Sequence, residues 1–480
     1  MGDFVGFVGP AYSAPSIYQD VQELINWYIE VDPAKKAGER GFTALYPTEG
    51  LTLQLSLGTS AEVRGMYVPA GGSTLYVVSG NTLFSVSSGF VATAIGTLSS
   101  YSTPVSMVDN RICLYLVDGA NRYTYTYATS TFANVGAGDG AFNGANKVDY
   151  VDDFFVYNDP QSNQWGCSSP LSGVSPVLSF SSKDSSPDNI VSLICDHRQV
   201  LLIGEYTTEQ WINVGSFPFP FQRIPGVSMQ HGCAAQNSVT LFGESTAWLA
   251  QDISGAPVVI HMNGYQPQRI STHAVENDIT GGVISDAIGF RYRYNGHEFY
   301  ILTFPTQDKT WVFDLATQEW HKRAWVDTSN TLHRIRANCF CYFQGLNLVG
   351  DWQNGIIYSL DPENYTDNGN PILRLRRAPH ITNDLNRVTH NSLQIQFQPG
   401  VGLSTGQGSN PKCMMRWSDD GGSTYSNSYF VNIGAIGQYK NRAIKKQLGM
   451  ARDRVYEVSI TDPVYAAIVS AEIMLTPSDD

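Results

Sequence analysis

From residue 63 onward the chain repeats one pattern: a strand-like apolar run, a tight turn of Gly, Asn, Asp or Ser, and a second strand-like run. The clearest copies are Leu75 to Val86 and Ile112 to Tyr127, and looser ones begin at Phe154, Val200, Val239, Phe299 and Asn347. Taking Tyr76, Tyr115, Phe155, Leu202, Leu241, Tyr300 and Leu348 as equivalent points, the intervals are 39, 40, 47, 39, 59 and 48 residues. An imperfect period in the forties built from hairpins predicts a β-propeller, whose four-stranded blades bury their faces only against their neighbours. Six or seven blades fit equally well. The turns Ser79-Gly80-Asn81, Asp118-Gly119, Asn295-Gly296 and Asn354-Gly355 supply residues that tolerate positive φ. The competing arrangement is a pair of unrelated β-sandwiches, whose short strands and turn signals look the same locally.

The first sixty residues read differently, as an N-terminal segment that packs on or closes the propeller. Val21 to Glu30 allows one short helix. The propeller is placed at 61–372. Between Asp361 and Asn391 the hairpin texture stops, so 373–390 reads as a linker. Beyond it Ser392 to Gln398 alternates apolar and polar, and Cys413–Trp417, Tyr429–Ile433, Arg454–Ile460 and Ala467–Leu475 are further strand candidates. Five strands over 391–480 predict a small C-terminal β-sandwich.

Composition agrees with an all-β chain. Charged residues are 15% against a usual quarter or so, while 44 Gly, 26 Tyr, 22 Phe and 9 Trp are plentiful. The formal charge of −13, without any long basic tract, argues against a protein whose main task is to grip phosphates. DNA passing without being held is compatible with it. No secretory signal is visible at the N-terminus and no apolar run is long enough to span a bilayer, so the expectation is a chain made in a cytosol without membrane insertion. Cys113, Cys167, Cys195, Cys233, Cys339, Cys341 and Cys413 form no Cys-x-x-Cys pair and are expected to be ordinary buried thiols.

No catalytic, cofactor-binding or metal-ligating set emerges. Walker, His-Glu-x-x-His and Gly-x-Gly-x-x-Gly patterns are absent. The acidic pairs Asp152-Asp153 and Asp419-Asp420 read as solvated turns, since neighbours on a strand point to opposite faces. His231-Gly-Cys233 as a base and thiol carries little information. Trp417 to Tyr425 matches the Asp-box pattern through Ser418, Asp420, Gly422 and Thr424. There the hydroxyls and a buried carboxylate are expected to bond backbone N–H groups of a hairpin turn while Gly takes positive φ, a structural role. Arg374, Arg376 and Arg377 are the one basic stretch, open to three readings: a solvated face, intersubunit salt bridges, or contact with passing nucleic acid.

Several segments together carry a resemblance: Gln22 to Tyr28, Ala44 to Leu51, Arg64-Gly-Met66, Glu209 to Gly215, Gly264 to Ser271, Arg416 to Gly422 and Ala451 to Ser459. In this order they resemble the packaged-DNA stabilisation proteins of short-tailed bacteriophages, also described as tail accessory, hub or nozzle proteins. The resemblance runs from near residue 20 to the end. It implies a virion tail component built on a propeller, a homo-hexameric ring below the portal and its adaptor (head-completion) proteins. Such a ring closes the head after DNA packaging, carries a conduit for genome ejection, and meets tail fibre, tailspike or needle proteins. No catalytic residues or cofactors come with it. The alternatives are a tail-associated glycan-degrading enzyme and a glycan-binding adhesin, whose exposed aromatic rings stack on sugars.

Overall fold

The computed structural model describes residues 2–477 apart from 37, 38, 40, 136–138, 187, 252, 253 and 385. Among these the chain is almost wholly strand and turn, with one short helix, His273–Ile279, capped by the Thr272 hydroxyl. Seven four-stranded antiparallel blades follow one another, which fixes the blade count that the sequence left at six or seven. Their first strands are Val63–Tyr67, Ser106–Asp109, Val148–Val151, Ile190–Asp196, Thr240–Phe242, Ile288–Tyr294 and Ala337–Phe343. The alternative of two unrelated sandwiches is thereby set aside.

The packing of the blades explains why the hairpins are so legible. A second strand such as Leu75–Ser79, Cys113–Val117 or His297–Phe304 is buried at every position, because one blade covers each of its faces. Outer strands such as Thr131–Asn134 lie largely in solvent and carry no comparable signal. Each gap between blades holds an apolar cluster, such as Val78 with Leu114 and Leu116 between blades 1 and 2, or Leu75 with Leu348 and Ile357 between 7 and 1. One equivalence in the sequence reading is corrected. Leu241 lies on the short innermost strand of blade 5, and the second strand there is Ser245–Gln251, which accounts for the uneven intervals.

Blade 7 contains only three strands from its own stretch of chain. The fourth is Gly50–Ser56, antiparallel to Ile356–Asp361 with Leu51 opposite Leu360, so an early strand closes the ring. Gly50 is required at that junction, since a Cβ there would come within 2.4 Å of the Asn364 carbonyl oxygen.

The helix allowed at Val21 to Glu30 is not formed. Two strands, Val21–Ile25 and Trp27–Val31, take its place, broken at Asn26, which is buried with φ of 55°. Buried positions at 21, 24, 25 and 28 mimic helical spacing because the two strands join different sheets. The first pairs with Trp320–Lys322 of blade 6 and with Arg374–Arg377, which continues through Asp453–Ile460 and Lys412–Ser418 to Tyr429–Asn432. The second pairs with Thr43–Pro47 in a sheet continued by Ile468–Pro477, Val388–Phe397 and Ala443–Lys446.

These two sheets are the C-terminal β-sandwich, and they correct the expected boundaries. The sandwich is completed by N-terminal strands, and 373–390 is no linker, because Arg374–Arg377 is an interior sheet strand. One sheet runs unbroken from blade 6 into the sandwich. The apolar core does the same, joining Tyr300, Leu302 and Trp311 of blade 6 to Ile395, Val458 and Ile468.

Candidate functional site

The segment Leu373 to Arg376 alternates leucine and arginine, and the strand Arg374–Arg377 has sheet neighbours on both sides. Arg374 and Arg376 are fully enclosed. Arg376 donates to five oxygens: Phe7 O at 2.6 Å, Pro10 O and Gly6 O at 2.8 Å, Glu23 O at 3.3 Å and Gln22 Oε1 at 2.5 Å. It thereby pins the N-terminal loop to the sandwich. Burial pulls its pKa down to about 9, with Asp20 and Glu23 opposing. Arg377 donates two bonds to Glu457 Oε2, at 3.0 and 2.9 Å, and Arg416 takes the other oxygen of that buried carboxylate. Arg374 differs. None of its three N–H-bearing atoms has a partner, and its guanidinium stands 5.5 Å from the centre of the Tyr365 ring. Burial lowers it to about 10. All three sequence readings of this stretch are therefore corrected, since two of the arginines are sealed inside one chain and the third serves an internal ion pair.

Asn26 is the second fastening, which the sequence reading missed. Its amide donates to Ala324 O at 2.8 Å and Leu373 O at 2.9 Å, and its oxygen accepts from the Ala324 N–H at 3.0 Å. One side chain thus ties the N-terminal strand, blade 6 and the arginine strand together. The available signal was an isolated polar residue between two apolar runs. A third fastening is His297 of blade 6, whose ring nitrogens lie 2.7 Å from Asp314 Oδ2 and 2.8 Å from Glu30 Oε2. Burial lowers its pKa, but hydrogen bonds to Asp314 and Glu30 outweigh that and raise it to about 9.

The Asp-box residues meet in the turn after Lys412–Ser418. The Ser418 hydroxyl donates to Asp420 Oδ1 at 2.6 Å and accepts from the Gly422 N–H at 2.8 Å. Thr424 donates its N–H to Oδ1 at 2.8 Å and its hydroxyl to Oδ2 at 2.7 Å. Gly422 has φ of 102°. These bonds, Ser418 and Thr424 first, hold the Asp420 carboxyl down at about 2. The carboxylate is not buried, as expected from sequence, but partly exposed, because its donors all lie within the turn.

The Cys233 thiol is buried, donates to Ala235 O, and is pushed up by burial to about 12. Asp152 and Asp153 form a two-residue turn with φ of 46° and 74°. Asp152 pairs with Arg198, and Asp419 pairs with Arg454. Among the described residues no group of three His, Cys, Asp or Glu is placed to hold a metal, and no helix is long and apolar enough to cross a membrane.

Two family models match, one to each part of the chain. One, bacteriophage P22 Gp10, beta-propeller, covers residues 25–365. The other, bacteriophage P22 Gp10, beta-sandwich, covers 374–476. The chain belongs to the P22 Gp10 family. A Gp10-type chain is a structural protein of a phage tail, which bears out the resemblance and the fold read from sequence. No curated relative matches. Among solved structures, the N-terminal domain of Nup159 aligns at 10% identity and TM-score 0.42, covering 66% of this chain and 95% of that one. A chain of the S. cerevisiae Dbp5 complex with Nup159 and Gle1 aligns at 10% identity and 0.42, with 68% and 96% covered. The WD40 β-propeller domain of Doa1 aligns at 10% identity and 0.39, with 65% and 97% covered. At those TM-scores they decide nothing about this Gp10-type chain.

Proposed function

We propose that this chain is the subunit of a homo-hexameric hub or nozzle ring in the tail of a short-tailed phage. The ring sits below the portal and its adaptor proteins, closes the head after DNA packaging and forms the conduit for ejection. The observation that carries this reading is the match of both halves of the chain to the Gp10 family. The physical character of the chain supports it. A sheet and a core shared by propeller and sandwich make one stiff block, as a part bearing the pressure of packaged DNA requires. The charge of −13 keeps a polyanion from adhering to the wall it slides past. In a closed ring each subunit presents one patch to the next, and exposed apolar side chains such as Leu171, Val174, Val177 and Leu178 are of the kind such heterologous contacts use. Further partners in this reading are tail fibre, tailspike or needle proteins, and the chain is made in the host bacterial cytoplasm.

Two measurements test it. Imaging of the purified virus should find six copies around a hole between the portal-adaptor and the tail tip. Particles lacking the protein should fill with DNA and then leak it. Mutant particles that keep their DNA but fail to degrade a host polymer would favour an enzyme, and tight, salt-sensitive binding of duplex DNA by the ring would contradict a passive conduit.

A further inference from the structure

The two ends of the chain carry opposite surfaces. One end is the sandwich edge farthest from the propeller. The sheet that begins in blade 6 stops there at Tyr429–Asn432, an outer strand whose sheet partner among the described residues is Lys412–Ser418 alone. Ala443–Lys446, the outer strand of the second sheet, lies beside it. Asn441 Nδ2 donates to Asn432 O at 2.7 Å, and the Lys445 ammonium stands 4.1 Å from the centre of the Tyr429 ring. From Gly421 to Arg452 the sequence holds Lys440, Arg442, Lys445, Lys446 and Arg452 and no acidic residue. Lys440, Arg442 and Lys446 are exposed. So are Phe430 on the outer strand and Ile436 and Tyr439 in the connection between the two strands.

The other end is blade 3, which stands across the seven-bladed ring from blade 6. The charge there is reversed. Val148 to Ser182 holds Asp149, Asp152, Asp153 and Asp159 and no Lys or Arg. Its strands Gln164–Cys167 and Phe180–Ser182 are joined by a loop in which Leu171, Val174, Val177 and Leu178 are exposed. The Leu171 N–H donates to Asp153 O at 2.8 Å, which seats the exposed Asp153 beside that loop. Each surface thus combines a group of exposed apolar side chains with charge of one sign, and the signs are complementary. The propeller lies between them, so they cannot meet within one chain.

We propose that the basic sandwich edge of one copy docks on the acidic blade 3 of the next. This rests on the reading of the chain as a ring subunit and names the two faces that close the ring. Faces at opposite ends of one stiff block give a head-to-tail contact, in which every copy uses one of each. Duplex DNA suits the edge less well. It offers phosphates to the lysines and arginine but no apolar surface to Phe430, Ile436 and Tyr439, whereas blade 3 offers both kinds of partner.

The test uses purified virus particles carrying Leu178→Cys together with Phe430→Cys, at side chains each 67% exposed. After treatment with a short bis-maleimide, a denaturing gel should show a ladder reaching beyond two linked chains, and neither single variant should give it. Lys440→Glu with Arg442→Glu, both exposed, should cut incorporation into particles at least about tenfold while leaving the melting temperature of the purified chain unchanged. A ladder that stops at two chains would mean that like faces meet and would overturn the proposal, as would unchanged incorporation. Binding of duplex DNA by the purified chain that is lost in Lys440→Glu with Arg442→Glu would overturn it in favour of nucleic acid. Imaging separates the two levels: six copies around a hole without a ladder overturn this contact and leave the ring standing, whereas particles without a ring overturn both.

Discussion

Arg374 and Arg376 sit two residues apart on one strand, equally buried, and physical chemistry assigns their replacement by methionine opposite outcomes. Methionine keeps most of the volume and removes the charge. At Arg376 five acceptors lose their donor, four of them backbone carbonyls. A bond from a charged donor is worth about 1.5–3 kcal/mol, and the recovered desolvation of the guanidinium offsets part of the sum. Stranding the partners of a buried ionic group typically costs about 3–5 kcal/mol, and Arg376→Met should fall in that range. At Arg374 no hydrogen bond is lost, since none is made, and only the contact with the Tyr365 ring disappears. Arg374→Met should therefore lie between neutral and about 2 kcal/mol more stable. Urea unfolding followed by tryptophan fluorescence measures both. Chymotrypsin adds a local readout, because Phe4, Phe7 and Tyr12 lie in or next to the loop that Arg376 holds and should become cleavable in Arg376→Met alone. Equal costs for the two variants would refute the reasoning. A loss above about 2 kcal/mol at Arg374 would mean that its guanidinium has a partner after all.

Three further outcomes follow from the same geometry. Asp420→Ala should lower the melting temperature at neutral pH. Because the folded carboxyl titrates near 2, below its ordinary value, that difference should be full above about pH 4 and vanish as pH falls through 2. His297 is raised to about 9, so the stability it contributes is complete below its ordinary pKa near 6.5 and lost as pH rises through 9. Thermal melts of wild type and His297→Gln should therefore converge between those values, and a constant gap would contradict the double carboxylate clasp. Gly50→Ala, whose new Cβ would meet backbone oxygens at 2.4 and 2.5 Å, should cost about 1–3 kcal/mol or more in melts and loosen Gly50–Ser56 in hydrogen exchange.

What the sequence determined by itself is what short-range physics writes locally. The hairpins were legible because a strand covered on both faces must be apolar throughout, as Cys113–Val117 is. The Asp box was legible because its donors and acceptors all fall between Ser418 and Thr424, within one turn. The ordered segments that carry the resemblance extended this reading to the family.

Tertiary structure alone decided how the two halves join. Arg374–Arg377 looks from sequence like a basic stretch at a boundary, because an arginine's charge is visible and its partners are not. Three of the five acceptors of Arg376, on Gly6, Phe7 and Pro10, lie more than 350 residues away in a loop that carries no polar signal of its own. The same holds for Asn26, which bonds residues about 300 and 350 positions distant, and for Gly50–Ser56, which completes a blade begun near residue 337. Val21 to Glu30 was open to misreading as a helix because its burial is imposed from two different sheets. Periodicity reports which faces of an element are covered, and only the assembled fold determines what covers them.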